Sequence, residues 1–122
     1  MKKILLLCTL GMSTSMLVKK MRDAAKSRNI EVEIEAVSLR RFDELLDSYD
    51  VFLLGPQVKF QKAEFQAKAR EKNKPLDVID IKDYGMMNGE NVLDFALNLT
   101  VWSKKMIIKI LRSKKWKNYL NK

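Results

Sequence analysis

Apolar runs and amphipathic stretches alternate along this chain. Ile4 to Leu7 is a continuous aliphatic run, the pattern of a parallel strand covered by helices on both faces. Met16, Leu17, Met21, Ala24 and Ala25 then recur at helical spacing, with Lys19, Lys20, Arg22 and Asp23 mostly off the stripe. Ser13 or Thr14 is expected to cap this helix and Asn29 to stop it. From Ile30 to Val37 the pattern switches to strict alternation. Ile30, Val32, Ile34 and Ala36 share one face and Glu31, Glu33 and Glu35 the other, as in a half-exposed strand at a sheet edge. A short amphipathic helix over Leu39 to Leu46 precedes a second fully apolar run, Val51 to Leu54, which ends in Gly55-Pro56-Gln57.

A charged helical pattern follows from Val58 to Lys72, with Phe60, Ala63, Phe65 and Ala67 expected inward. Asn73-Lys74-Pro75 breaks it, and a last strand is predicted from Leu76 to Ile79 or Ile81. Beyond Asp83-Tyr84-Gly85, Asn88-Gly89 marks a turn or a helix entry. Val92, Leu93, Ala96, Leu97, Leu99 and Thr100 then predict a final helix, whose spacing extends through Trp102, Met106, Ile107, Ile110 and Leu111. Four strands alternating with helices predict an α/β fold, an open four-stranded parallel sheet in a flavodoxin-like or phosphatase-like three-layer sandwich. Right-handed crossovers place the loops after the first and third strands on one rim, where the strand order reverses and ligands bind. Cys8 and Gly55-Pro56-Gln57 are therefore expected to share that rim.

Composition narrows the chemistry. The 122 residues fit one domain, and no apolar run approaches the ~20 residues of a transmembrane helix. The start, from Met1 to Gly11, has a charged front and a short apolar stretch. No A-x-A-like cleavage site follows, so a buried strand is expected, not a signal peptide, in a cytoplasmic protein. A single cysteine excludes an intramolecular disulfide, and the absence of histidine excludes Cys-His and Ser-His pairs and imidazole metal sites. A covalently held phosphoryl group would have to sit on Cys8, a hydroxyl or a carboxylate. The net charge of +9 is uneven: residues 104–122 carry eight of the 24 basic residues and no acid, leaving 16 basic against 15 acidic residues before them. Two units are expected on this basis, a domain over 1–103 and a basic helical extension over 104–122.

Cys8 closes the first strand just before Thr9, Leu10, Gly11, Met12, Ser13, Thr14 and Ser15. Thiols react as thiolates, which the partial positive charge of a helix N-terminus favours. The amides of residues 9 to 15 would form a nest for phosphoryl oxygens, with Gly11 easing the turn and hydroxyls adding donors. The residues equally allow Cys8 to be a small buried hydrophobe at a strand end, with the hydroxyls as helix caps.

Cys8-x-x-Gly11-Met12-Ser13-Thr14-Ser15, with Leu53-Leu54-Gly55-Pro56-Gln57 and Tyr84-Gly85, resembles the IIB component of the lactose/cellobiose class of sugar phosphotransferase systems. The likeness covers about residues 3 to 103, and the family fold agrees with the parallel sheet predicted above. The resemblance implies that Cys8 takes a phosphoryl group from a phosphohistidine on a IIA protein. Cys8 then passes it to a sugar imported by a membrane IIC permease, with a β-linked disaccharide such as cellobiose, chitobiose or lactose as the class expectation. It further implies that Thr9 to Ser15 cradle the phosphoryl group, and that Gly55, Pro56, Gln57 and Tyr84 border the site. No cofactor is implied. Thr9 and Leu10 depart from the smaller residues frequent in the family, and the family offers no role for residues beyond 104.

The rival reading is a low-molecular-weight tyrosine phosphatase, whose Cys-x5-Arg loop clamps a phosphate with arginine. Here the sixth residue after Cys8 is Thr14, which also argues against an arsenate reductase of that type. A flavodoxin-like anion-binding module would not need the thiol. The basic tail, with Trp102 and Trp116 among lysines, reads as a terminal helix packed on the body or as a helix on an anionic membrane surface. Nucleic-acid binding is weighed for it and not expected. Asp43, Glu44, Asp47, Asp50, Asp77, Asp80 and Asp83 lack the spacing of a known metal loop and read as surface charges and caps.

Overall fold

The computed structural model describes residues 1–9 and 12–100, without the side chains of Met12 and Ser13. Leu10, Gly11, the extension of the last helix through Trp102 to Leu111, and the basic segment 104–122 lie outside the described residues.

Four parallel strands, β1 (Lys2–Cys8), β2 (Val32–Ser38), β3 (Val51–Leu54) and β4 (Leu76–Val78), form one sheet in the order β2-β1-β3-β4. The aliphatic run of β1 is buried on both faces, and successive side chains divide between two cores. Ile4 and Leu6 join Leu53 and Ile34 beneath α1 (Met12–Ser27) and the helix over 89–100, termed α5. Leu5 and Leu7 join Phe52 and Leu54 beneath α2 (Phe42–Leu45) and α3 (Lys62–Glu71). In this second core Phe42 meets Phe52 and Phe65 edge to face, with centroids 5.2 and 5.0 Å apart. The three-layer α/β sandwich expected from the sequence is present.

Local chemistry sets the boundaries. α1 and α3 each end through an asparagine in the left-handed region, Asn29 (φ 55°) and Asn73 (φ 57°). The next residues turn back to helix carbonyls: Ile30 N–H donates to Ala25 O at 2.8 Å and Lys74 N–H to Ala69 O at 2.9 Å. Asn88 Oδ1 accepts from Asn91 N–H at 3.1 Å, so Asn88-Gly89 is a helix entry. Gly89 sits where a Cβ would lie 2.5 Å from the backbone carbonyl carbon of Lys20, which lets α5 close onto α1.

The alternating segment is an edge strand, as its pattern predicts. Glu33 pairs with Lys3 at 3.3 Å and Glu35 with Arg22 at 2.9 Å. Arg22 also donates through Nε to the Ile34 carbonyl at 3.0 Å, and on the opposite edge Gln66 Nε2 donates to the Leu76 carbonyl at 3.0 Å.

Four local expectations need correction. Helix α1 already includes Met12, so Ser13 and Thr14 lie inside its first turn and neither is its cap. Its buried stripe takes Val18 in place of Met16, which is exposed. The stretch before α3 is a 3₁₀ segment, Pro56–Gln61, kinked at Val58 (φ −117°, ψ 20°). The inward stripe is Val58, Phe65 and Ala69, seven and four residues apart, while Phe60, Ala63 and Ala67 face solvent. Finally, β4 stops at Val78, and Ile81 opens a further short helix, α4 (Ile81–Gly85), capped by Asp80, whose carboxylate accepts from Lys82 N–H at 2.7 Å.

Candidate functional site

The parallel pairing of β1 with β3 sets Leu7 opposite Leu54. The next residue on β3's side, Gly55, donates its N–H to the Leu7 carbonyl at 3.0 Å. The chain exits from both strands therefore lie side by side where the strand order reverses, the place the sequence predicts. Cys8 is the last residue of β1, only 5% exposed, and its Sγ donates to the Val37 carbonyl of β2 at 3.7 Å.

After Cys8 the chain turns through Thr9, which is exposed, and enters α1 at Met12. A helix leaves its first amides without intrahelical partners, and the first turn of α1 contains no acidic side chain to offset their partial positive charge. Ser15 faces solvent. Thr14, 2% exposed, points inward and shares a 2.8 Å hydrogen bond between its Oγ1 and Oη of Tyr84. Gln57 Nε2 donates to the same Tyr84 oxygen at 3.2 Å. Three segments leaving three strands thus meet at one phenol: the start of α1 after β1, the 3₁₀ segment after β3, and α4 after β4.

Gly55 and Pro56 make the turn that delivers Gln57. Gly55 is buried and extended (φ −62°, ψ 148°), Pro56 begins the 3₁₀ segment, and Val58 N–H closes on the Gly55 carbonyl at 3.0 Å. A Cβ on Gly55 would lie 2.5 Å from Gln57 Oε1, so the glycine leaves space for the folded-back amide. Thr14, Gln57 and Tyr84 are brought together directly, while Gly55 and Pro56 act through the backbone.

Two features escaped the sequence reading. The Val37 carbonyl left no signal, because its role depends on strand register. Helix α4 did leave one, since Asp80 followed by Asp83 is a plausible helix start, but the apolar Ile79 and Ile81 favoured a strand. The acidic residues tested for metal binding have other partners. Asp43 pairs with Lys68, Glu44 with Arg41, Asp47 with Lys72 and Asp77 with Lys62. Asp50 accepts from Lys3 N–H and Asp83 from Asn91. Among the described residues no helix is long and apolar enough to cross a membrane.

Comparison with known proteins agrees with the geometry. A family model described as "PTS system, Lactose/Cellobiose specific IIB subunit" matches residues 3–95. The chain is 46% identical over 101 residues to the oligo-beta-mannoside-specific EIIB component of Bacillus subtilis, covering 83% of this chain and 98% of that protein. It is 48% identical over 103 residues to the cellobiose-specific EIIB component of Lactococcus lactis, covering 80% and 95%. Among solved structures, the cellobiose-specific IIB component from Borrelia burgdorferi superposes with a TM-score of 0.72 at 44% identity, over 84% of this chain and 94% of that one. The lactose-specific IIB domain from Streptococcus pneumoniae shares the fold, with a TM-score of 0.73 at 19% identity, over 80% and 96%. By fold and by sequence, the chain belongs to the lactose/cellobiose-specific IIB family of sugar phosphotransferase systems.

Proposed function

We propose that this chain carries a phosphoryl group on Cys8, between a phosphohistidine of a IIA-type donor and a sugar entering through a IIC-type permease. One observation carries the reading. The chain's single cysteine stands at the C-terminal end of β1, immediately before the acid-free first turn of α1, in a chain without histidine. In the first step the Cys8 thiolate attacks phosphorus, the S–P bond forms as the donor's N–P bond breaks, and the donor imidazole is left to be protonated. In the second, a sugar hydroxyl oxygen attacks phosphorus, the S–P bond breaks, the thiolate is recovered and the hydroxyl proton is released.

On this reading residues 9–15 cradle the phosphoryl oxygens, and Gly55, Pro56, Gln57 and Tyr84 border the site. The sugar is a β-linked disaccharide or related glycoside, in keeping with the cellobiose and oligo-beta-mannoside specificities in the relatives' names. The protein works in the cytoplasm, with 1–103 as the carrier domain and 104–122 as an appended basic segment. A phosphatase would need a fixed cation against the phosphate dianion. At the sixth position after Cys8 stands Thr14, turned toward Tyr84. A site so equipped holds its phosphoryl group for the next acceptor.

The test is reconstitution with a charged IIA-type donor, reading intact mass. Wild-type protein is expected to gain the mass of one phosphoryl group and Cys8→Ser none. An unchanged mass for wild type, or equal labelling of Cys8→Ser, overturns the proposal.

A further inference from the structure

We infer that Tyr84 is a positioning residue for phosphoryl transfer at Cys8, acting through Thr14. The inference rests on the carrier reading above and assigns a role within the same site.

The sheet holds the strand ends at this rim, and the first turn of α1 lies beyond them. β1 and β3 fix their own ends by pairing, and α1 is seated on the sheet through Leu17, Val18 and Met21, all of which follow its first turn. The amides that would receive phosphoryl oxygens belong to the loop after Cys8 and to the first turn of α1, so their aim depends on where the turn sits. Thr14 lies in that turn, buried, and its hydroxyl is tied to Tyr84 at 2.8 Å. Tyr84 is carried by a five-residue helix, α4, whose own position is fixed by the Asp80 cap and by Tyr84 N–H donating to the Asp80 carbonyl at 2.9 Å. Gln57 then anchors the phenol from the β3 side at 3.2 Å. The phenol oxygen joins the α1 turn to the β3 and β4 exits.

A phenol suits this position. Its hydroxyl can accept from the Gln57 amide while still bonding Thr14, and its ring is held in the half-buried layer against the α1 core. Removing only the oxygen keeps that packing and cuts the ties to Thr14 and Gln57. Phosphoryl transfer depends on preorganised donors, and misplacement by about 1 Å can cost on the order of 100-fold in rate. Loss of one tie to a turn that the helix still supports has a smaller expected effect, about tenfold, the rate equivalent of one net hydrogen bond.

The experiment measures phosphoryl acceptance against the concentration of a phosphorylated IIA-type donor, for wild type, Tyr84→Phe, Thr14→Val and the double variant. Thermal melts confirm that each is folded. Tyr84→Phe and Thr14→Val are each expected to lower the saturating rate about tenfold, with the half-saturating donor concentration changed less than twofold. The double variant is expected to be no slower than Tyr84→Phe alone, because Thr14→Val cuts a tie that Tyr84→Phe already removes. A saturating rate for Tyr84→Phe within twofold of wild type overturns the inference while leaving the carrier reading intact. Multiplying losses in the double variant, or a shift confined to half-saturation, likewise overturn it. Absence of any phosphoryl group on wild-type Cys8 removes both.

Discussion

Gly89 shows how a single residue can set the distance between two helices. A Cβ there would fall 2.5 Å from the carbonyl carbon of Lys20, with the Lys20 oxygen and Cβ both at 2.7 Å. Backbone cannot yield as a side-chain tip does, so α5 would have to lift from α1 and loosen Val92, Leu93 and Ala96 against Leu17, Met21 and Ala24. Gly89→Ala is expected to cost about 1–3 kcal/mol, the range of an overpacked core, and thermal or urea denaturation will read it. The contrast with Gly55 is instructive. The same Cβ distance there is measured to Gln57 Oε1, the end of a flexible side chain. An added methyl would push the amide off Tyr84 at little cost to the fold.

At the scale of elements, the helix ends are set by backbone handedness more than by side-chain charge. Asn73 takes φ 57° so that Lys74 N–H can return to the Ala69 carbonyl, and the chain drops directly into β4. An alanine in that conformation has no side-chain amide to offset its steric strain. Asn73→Ala is therefore expected to destabilise by about 1 kcal/mol, whereas Asn73→Gly stays near wild type; paired melts will separate the two. The α3 region carries two competing apolar stripes, Phe60-Ala63-Ala67 and Val58-Phe65-Ala69, each at helical spacing, and periodicity alone does not rank them. The second lies inward, which leaves Phe60 78% exposed.

Across the whole molecule, the sheet was legible because its two central strands are buried on both faces. Ile4 to Leu7 and Val51 to Leu54 have no polar interruption, a pattern only a covered strand sustains, and the glutamates of β2 announced an edge. The rim position of Cys8 and Gly55-Pro56-Gln57 followed from topology alone. The tie among Thr14, Gln57 and Tyr84 could not be read in advance, because it joins residues 70 and 27 positions apart in the chain through two hydrogen bonds. Tyr84 was marked by family resemblance, not by any local pattern. Thr14 looked like a cap because threonine is a good one, and burial gave its hydroxyl a different partner.

The two outer strands of this sheet have a bearing on how the protein behaves in a crowded solution. A free strand edge can recruit a strand from another molecule. Here a side chain from the chain's own helices occupies a carbonyl on each side: Arg22 on Ile34 of β2, and Gln66 on Leu76 of β4. An incoming strand must first displace those donors, and at β2 it also meets the charges of Glu33 and Glu35. An Arg22→Ala/Gln66→Ala variant is expected to develop light scattering several-fold faster than wild type on gentle heating below the melting transition. Equal scattering at equal folded fraction would show that these donors do not guard the edges. The helices of this fold then serve twice, roofing the core and closing the sheet to strangers.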